Sequence, residues 1–268
     1  MIGVIICVAV LCGVGFLCSL MLVFAAKFFA IPENEQVNAL RACLPGANCG
    51  ACGYTGCDGY AKALAEAAEE GEEIKTNLCI PGGESCSREL AEVLGVEAGS
   101  VEKKVAVVLC GGAPSHIKQR NDYAGLATCR GAKLYYAGGH GCTFACLGYG
   151  DCLSVCPAKA ICLDDGVAHV DPRLCVGCSL CVSACPQGAI AVVSVSQQVA
   201  VRCRNTEKGA VSRLKCDAGC IGCKKCEKTC PSGAIRVENN IARVDGALCQ
   251  DCGLCVEQCP VGCIIKLP

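Results

Sequence analysis

The chain has 268 residues, and 31 of them are cysteine, a share of about 12% that is several times the ordinary one. Tryptophan is absent and aromatic residues make up 4%, so a large core packed around aromatic side chains is not expected. The net charge of −1 lacks the basic excess of a dedicated nucleic-acid-binding protein, and we predict no nucleic-acid partner.

The segment from Met1 to Ala26 carries no charged side chain. As a helix it would reach about 39 Å, enough to cross a hydrocarbon core of about 30 Å. We therefore predict a transmembrane helix over residues 1–27; the alternative, a cleaved signal peptide, is disfavoured because no basic residue precedes the apolar stretch. Lys27 follows the stretch, so the positive-inside rule predicts a single-pass protein of the cell membrane whose C-terminal region lies in the cytoplasm.

A glycine-dense block comes next, with Cys49, Cys52 and Cys57 closely spaced and Cys79 further on in the sequence NLCIPGG. Glycines let backbone N–H groups approach cluster sulfurs closely. We predict that these four thiols hold a [4Fe–4S] cluster in a small domain over residues 28–90. Helical composition is found at 60–73 and 87–96, and a strand-like run at 105–110 lies in a predicted linker over residues 91–137.

The C-terminal half is built on the motif Cys-x2-Cys-x2-Cys-x3-Cys-Pro, which occurs three times. In this motif three thiolates bind one [4Fe–4S] cluster, and the fourth, placed before proline, binds the other cluster of a pair. A tetrahedral zinc site would not explain the third cysteine of each run, and disulfide bonds are disfavoured because ligand thiols must stay reduced. The three copies contain Cys175, Cys178, Cys181 and Cys185; Cys220, Cys223, Cys226 and Cys230; and Cys249, Cys252, Cys255 and Cys259.

A fourth, stretched copy precedes them, with Cys142, Cys146, Cys152 and Cys156 before Pro157. Four copies predict an α+β architecture with two ferredoxin-like modules, at residues 138–200 and 201–268, each binding two [4Fe–4S] clusters. With the N-terminal site, this makes about five clusters. The predicted ligand sets are Cys49, Cys52, Cys57 and Cys79 for cluster 1; Cys142, Cys146, Cys152 and Cys185 for cluster 2; Cys156, Cys175, Cys178 and Cys181 for cluster 3; Cys220, Cys223, Cys226 and Cys259 for cluster 4; and Cys230, Cys249, Cys252 and Cys255 for cluster 5.

Further cysteines lie outside these sets. Cys110 and Cys203 each end an apolar run, while Cys129 and Cys216 each precede a ferredoxin motif, so the two pairs have the form of duplicated features. Buried structural thiols are the favoured interpretation, and a further cluster is the alternative.

Residues 202–228 have an excess of positive charge. Such an excess can steer an acidic ferredoxin toward the C-terminal module. Counter-charges for a cluster, or simply a solvated face, are the alternative. The basic side chains are Arg202, Arg204, Lys208, Arg213, Lys215, Lys224, Lys225 and Lys228, against the acidic Glu207, Asp217 and Glu227.

An apolar N-terminal helix, the block LPGANCGACGYTGC with a distant NLCIPGG, and tandem ferredoxin modules together resemble the B subunits of Rnf ion-translocating oxidoreductase complexes, in their long, multi-cluster form. The resemblance implies an electron-transfer subunit of a membrane translocase, which takes electrons from soluble ferredoxin and relays them to membrane subunits that reduce NAD⁺ while moving Na⁺ or H⁺. The implied partners are polytopic membrane subunits, flavin-carrying subunits and an NAD-reducing subunit. We predict no catalytic residue and no complete active site in this chain alone, since it lacks a nucleotide-binding glycine motif.

Two other functions stay open on the sequence. A membrane-tethered polyferredoxin would serve another reductase without ion pumping. A cysteine-rich structural or metal-storage protein would contain zinc or disulfide bonds in place of iron and sulfide.

Overall fold

A computed structural model describes residues 2–28 and 34–267. Helix α1 (Ile2–Phe28) is the predicted N-terminal apolar helix. Its span Val8–Phe28 is long and apolar enough to cross a membrane, and no part of that span is buried against the rest of the protein. The start of the predicted four-cysteine domain, residues 29–33, lies outside the described residues.

Three helices form the four-cysteine region: α2 (Glu35–Ala42), α3 (Gly56–Glu70) and α4 (Gly83–Leu94). They surround a core that contains Leu40, Tyr60 and Leu90. The two helices predicted here are observed, and each begins and ends a few residues before the predicted position. Helix α3 stops early because Gly71 adopts a left-handed conformation with φ of 69°, which closes the helix.

The first ferredoxin-like fold consists of two antiparallel strand pairs with short helices between them. Strand β1 (Lys104–Val108) pairs with β4 (Ile190–Ser194), and β2 (Ile161–Asp164) forms a hairpin with β3 (Val167–Val170). Strand β1 comes from the segment predicted as a linker, so that segment contributes a strand to the first ferredoxin fold. The helices are α5 (Cys129–Leu134), α6 (Asp151–Ser154) and α7 (Leu180–Ala184).

The second ferredoxin-like fold repeats this arrangement. Strand β5 (Val199–Val201) pairs with β8 (Ile264–Lys266), and β6 (Ile235–Glu238) forms a hairpin with β7 (Ile241–Val244). Its helices are α8 (Gly209–Lys215), α9 (Lys225–Thr229) and α10 (Leu254–Glu257). In both folds the first strand therefore pairs with the last, and the hairpin lies between them in sequence.

The two ferredoxin folds contact each other through main-chain hydrogen bonds. The N–H of Gly111, just after β1, donates to the carbonyl of Arg202, just after β5, at 2.9 Å. The Arg202 guanidinium donates in return to the carbonyl of Cys110 at 3.0 Å. Cys216 of the second fold also forms a β-bridge with Ile117. The segments that follow β1 and β5 thus face one another across this contact.

Candidate iron–sulfur sites

Two cavities are each lined by the four thiols that the sequence assigns to one cluster. One cavity has Cys156, Cys175, Cys178 and Cys181 in its wall, with about 340 Å³ of space between its lining atoms, open solvent included. A second, with about 300 Å³ on the same measure, is lined by Cys220, Cys223, Cys226 and Cys259. In each cavity three thiols come from one motif and the fourth from the other half of the same fold. Four soft thiols that line one cavity fit the ligand requirement of a [4Fe–4S] cluster.

In each regular motif, the thiols that affect the pKa of the third cysteine belong to the same predicted cluster. Burial, together with the neighbouring thiols of Cys175, Cys178 and Cys156, raises the pKa of Cys181 to about 11. Burial likewise raises the pKa of Cys226 to about 11, and its neighbouring thiols are Cys220, Cys223 and Cys259. For cluster 5, burial raises the pKa of Cys255, and the neighbouring thiols include Cys249, Cys230 and Cys252. The thiols predicted for clusters 3, 4 and 5 therefore lie together.

Alternating left-handed residues fold each regular motif around its thiols. The second and fourth positions after the first cysteine have positive φ in all three copies, for example 67° at Gly177 and 62° at Ser179. This conformation turns successive backbone N–H groups to the inside of the loop, as in an anion-binding nest. The amides of Leu180, Gly222 and Asp251 accordingly donate to the sulfurs of Cys178, Cys220 and Cys249.

The four-cysteine region brings three of its predicted ligands into one core. Cys52, Cys57 and Cys79 pack in the same apolar cluster, around Tyr60. Cys49 is half-buried and also lies near the first ferredoxin fold, where burial raises the pKa of Cys178 and the nearby thiol of Cys49 adds to that effect. Cys86, which lies outside the predicted ligand sets, donates its S–H to Cys79 and thereby lowers the pKa of that thiol to about 7.

Cluster 2 is grouped differently from the prediction. Burial raises the pKa of Cys152 to about 12, and its neighbouring thiols are Cys146, Cys129 and Cys185. Cys142 was predicted in this set, but its thiol neighbour is Cys110, and burial is the main cause of its raised pKa. The structure thus brings together Cys146, Cys152 and Cys185 with Cys129 beside them.

The stretched motif explains this grouping. Gly148 and Gly150 have φ of 72° and 81° and occupy the second and fourth positions after Cys146, so Cys146 corresponds to the first cysteine of the regular motif. Cys152 and Cys156 then fall at the third and fourth cysteine positions, and Tyr149 occupies the position of the missing middle cysteine.

Cys129 stands next to that substituted position. Cys129 is buried in an apolar cluster against which Tyr149 packs. The Asp151 carboxylate accepts the N–H of Cys129 at 2.9 Å, which fixes α5 beside α6. The glycines two and four residues after Cys146 are the sequence signal that Cys146 is the first cysteine of the stretched motif.

Cys263 is a second thiol outside the predicted ligand sets. It stands where the other three copies of the Cys-Pro turn have alanine, at Ala160, Ala189 and Ala234. Its S–H hydrogen bond lowers the pKa of Cys220 to about 6. Its sulfur also lies 3.6 Å from that of Cys259. Two predicted ligands of cluster 4 are thus in contact with an additional thiol.

Each described cysteine side chain is a free thiol, and among residues 2–28 and 34–267 no three His, Cys, Asp or Glu side chains converge as ligands of a single metal ion do. The basic residues of 202–228 divide into two groups. Arg202, Arg204 and Lys215 are half-buried between the two folds. The exposed group consists of Lys208, Arg213, Lys224, Lys225 and Lys228.

Comparison with known proteins places iron–sulfur families along the chain. Residues 44–81 match the family described as a putative Fe-S cluster. Residues 168–191 match the 4Fe-4S binding domain, and residues 219–263 match the 4Fe-4S dicluster domain.

Relatives cover most of the chain. The B subunit of the Na(+)-translocating ferredoxin:NAD(+) oxidoreductase complex of Acetobacterium woodii is 42% identical over 93% of this chain and 74% of its own length. The B subunit of the proton-translocating ferredoxin:NAD(+) oxidoreductase complex of Clostridium ljungdahlii is 39% identical over 97% of this chain and 92% of its own length. The B subunit of the ion-translocating oxidoreductase complex of Methanosarcina acetivorans is 40% identical over 94% of both chains.

Proposed function

Because this chain belongs to the family of B subunits of ion-translocating oxidoreductase complexes, we propose that it takes electrons from reduced ferredoxin and relays them to the membrane subunits of such a complex. The chain is an electron-transfer subunit of an oxidoreductase that carries 4Fe-4S domains. The names of two relatives include ferredoxin and NAD⁺, which supports ferredoxin as the donor and NAD⁺ as the final acceptor. The observation that carries the proposal is the pair of cavities lined by four thiols each.

We assign at least five [4Fe–4S] clusters to the chain. Clusters 1, 3, 4 and 5 keep the ligand sets that the sequence predicts. For cluster 2 we assign Cys129 in place of Cys142, because Cys129 adjoins Cys152 and the substituted position at Tyr149. The first ferredoxin module is assigned a start near residue 104, since β1 pairs with β4.

The protein's own groups prepare these sites for one-electron transfer, which is the chemistry that [4Fe–4S] clusters supply when bound. Backbone N–H groups directed at the sulfurs stabilise negative charge on them. The amides of Ala160 and Ala189 donate to Cys156 and Cys185 at 3.3 Å, and that of Ala106 donates to Cys175 at 3.4 Å. Most of the assigned thiols are buried or half-buried, which limits water access and lowers the local dielectric. The reduction potential is set by this burial together with the hydrogen bonds.

We place the point of electron entry at the second ferredoxin module. Cys223 and Cys252 are exposed there, so the edge of each site lies at the surface. The exposed lysines Lys224, Lys225 and Lys228 follow the first of these thiols within five residues and suit an acidic protein donor. The exit is then the four-cysteine region, whose Cys49 adjoins Cys178 and which follows the membrane helix in sequence.

The N-terminal helix is assigned as a single-pass anchor with the cluster-bearing region in the cytoplasm. Lys27 in the last turn of α1 supports this orientation under the positive-inside rule. The anchor would keep the four-cysteine region beside the polytopic and flavin-carrying subunits of the complex, with the NAD-reducing subunit as a further partner.

The test uses the full-length chain, purified anaerobically in detergent. We expect about 20 iron atoms or more per chain and bleaching of the visible absorbance when reduced ferredoxin is added. Colourless, zinc-containing protein, or clusters that dithionite reduces and ferredoxin does not, would overturn the proposal.

A second measurement separates this function from that of a tethered polyferredoxin. The tagged chain, recovered from the membranes of its own organism, should bring with it polytopic subunits and covalently bound flavin. A chain that is recovered alone, with clusters that ferredoxin still reduces, would favour the polyferredoxin.

A further inference from the structure

Four cysteines line a third cavity that lies between the two ferredoxin folds. Cys110, Cys142, Cys203 and Cys216 all lie in its wall. The space between its lining atoms, open solvent at the mouth included, is about 320 Å³, between the corresponding values of about 300 and 340 Å³ for the two cavities assigned above. Its dimensions and its four thiols therefore match those of the two cavities assigned above.

The four thiols are related by the duplication of the ferredoxin fold. Cys110 and Cys203 each follow the first strand of a fold by two residues, after β1 and β5. Cys142 and Cys216 each stand four residues before the first motif cysteine, Cys146 or Cys220. Each fold thus contributes two thiols from equivalent positions, and the cavity lies where the two copies meet.

The backbone hydrogen bonds to these sulfurs repeat in the same way. Each of the four sulfurs accepts the N–H of the residue two positions further along the chain, the donors being Gly112, Phe144, Asn205 and Ala218. Cys110 Sγ also accepts the N–H of Cys146 at 3.3 Å, and Cys203 Sγ also accepts that of Cys220. Each of these additional donors is the first motif cysteine of its own fold.

Such bonds have a specific meaning for buried thiols. A structural thiol in an apolar core needs no backbone donor aimed at its sulfur, whereas a thiolate ligand does. The N–H of the residue two positions on also bonds the sulfurs of Cys178, Cys220 and Cys249 in the regular motifs. The cavity thiols therefore have the hydrogen-bond pattern of cluster ligands.

Positively charged side chains around the cavity would balance the negative charge of a cluster with four thiolate ligands. Arg202 and Arg204 line the cavity. Lys215 lowers the pKa of Cys142 against the dominant effect of burial, but it is ion-paired with Glu207, whose charge raises that pKa. An oxidised cluster with four thiolate ligands carries a net charge of about −2, and the two arginines at this place compensate it. Arg202, Arg204 and Lys215 are the half-buried members of the basic segment 202–228.

We propose that Cys110, Cys142, Cys203 and Cys216 bind a sixth [4Fe–4S] cluster, held jointly by the two ferredoxin modules. The site accounts for Cys142, which the stretched motif does not use once Cys146 is its first cysteine. It adjoins cluster 2 through the Cys146 amide and cluster 4 through the Cys220 amide. Its role as the connection between the modules rests on the proposed electron-transfer function; the iron site itself does not.

The test counts clusters in the full-length chain, purified anaerobically in detergent. Native mass spectrometry of the wild-type chain should show six clusters, with about 24 iron atoms by elemental analysis. Cys216→Ala should lose about four of these irons and gain no zinc. Cys162→Ala is the matched control, because Cys162 is exposed on β2 and lines none of the three cavities, and it should keep the wild-type iron content.

A wild-type count of five clusters, zinc at the site, or an unchanged iron content in Cys216→Ala would overturn the sixth cluster. If Cys216→Ala fails to fold, the wild-type count decides alone. The proposed function is tested separately. A five-cluster chain that ferredoxin reduces would support the proposed function and contradict the sixth cluster. A six-cluster chain that ferredoxin cannot reduce would support the sixth cluster and contradict the proposed function.

Discussion

The two ferredoxin modules share one fold but differ at the middle cysteine of their motifs. In the second module both middle cysteines, Cys223 and Cys252, are exposed. In the first module Cys178 is buried beside the four-cysteine region, and the other middle position is Tyr149, with Cys129 next to it. The motif places its middle thiol at the surface, and the first module covers or replaces that thiol. A module with open edges can receive a diffusing partner, whereas a covered module can exchange electrons only with its fixed neighbours.

This contrast predicts a large difference in resistance to chemical attack. When the anaerobic protein is exposed to a mild oxidant with an iron chelator, about eight irons should leave quickly and the remainder slowly, because the second module exposes one proposed ligand at each of its two proposed clusters. Iron release followed over time, with Mössbauer spectra of the retained iron, measures this. Release in a single phase would remove the distinction between the modules.

The proposal that Cys129 takes the place of the missing middle cysteine can be tested by moving the thiol from residue 129 to residue 149. Cys129→Ala should lose about four irons, because it removes one thiolate from cluster 2. Adding Tyr149→Cys restores the regular motif and should return those irons. The control is Tyr149→Cys alone, which should keep the wild-type iron content. Full iron content in Cys129→Ala would instead support the set with Cys142 that the spacing predicts.

Charge reversal at the open module should slow electron entry. Lys224→Glu, Lys225→Glu and Lys228→Glu together should reduce the rate of reduction by ferredoxin about tenfold at low ionic strength, with the difference shrinking as salt is added. Stopped-flow absorbance measures the rate. The matched control reverses three exposed charges near the first module, Lys118, Arg120 and Arg130, and should leave the rate unchanged. Equal slowing in both variants would mean that the modules do not differ as docking surfaces.

A smaller effect is expected from the additional thiol of the second module. The S–H of Cys263 donates to the sulfur of Cys220, and this hydrogen bond stabilises the reduced cluster because that state is the more negative one. Cys263→Ala removes the donor, so the reduction potential of cluster 4 should fall by on the order of tens of millivolts. Redox titration monitored by electron paramagnetic resonance measures it. Ala189→Cys at the equivalent turn of the first module is the converse variant. A cluster 4 potential that stays the same in Cys263→Ala would show that this thiol does not affect the site.

The sequence predicts most of the architecture because cluster ligands follow a fixed local spacing. The regular motifs predict which thiols lie together at the sites proposed for clusters 3 to 5, and the apolar run predicts α1. The pairing of β1 with β4 was not predictable, since the partner strand lies more than 80 residues further on and the intervening spacing carries no register. The position of Cys129 beside Cys152 was also not predictable. The chain turns after Cys129 through left-handed conformations at Tyr136 and Ala137, and the pattern of side chains in the sequence does not reveal such conformations.

The pairing of first and last strands has a consequence for how the protein is made. Each ferredoxin fold closes only when its final strand, β4 or β8, has left the ribosome, and such non-local contacts form slowly. The thiol of Cys110 emerges long before Cys203 and Cys216, with which it lines one cavity. During that interval the nascent chain exposes reduced thiols with no metal on them. Its maturation is therefore most sensitive to oxygen at translation, before any cluster is inserted, and the yield of loaded protein depends on how soon iron and sulfide are delivered after synthesis ends.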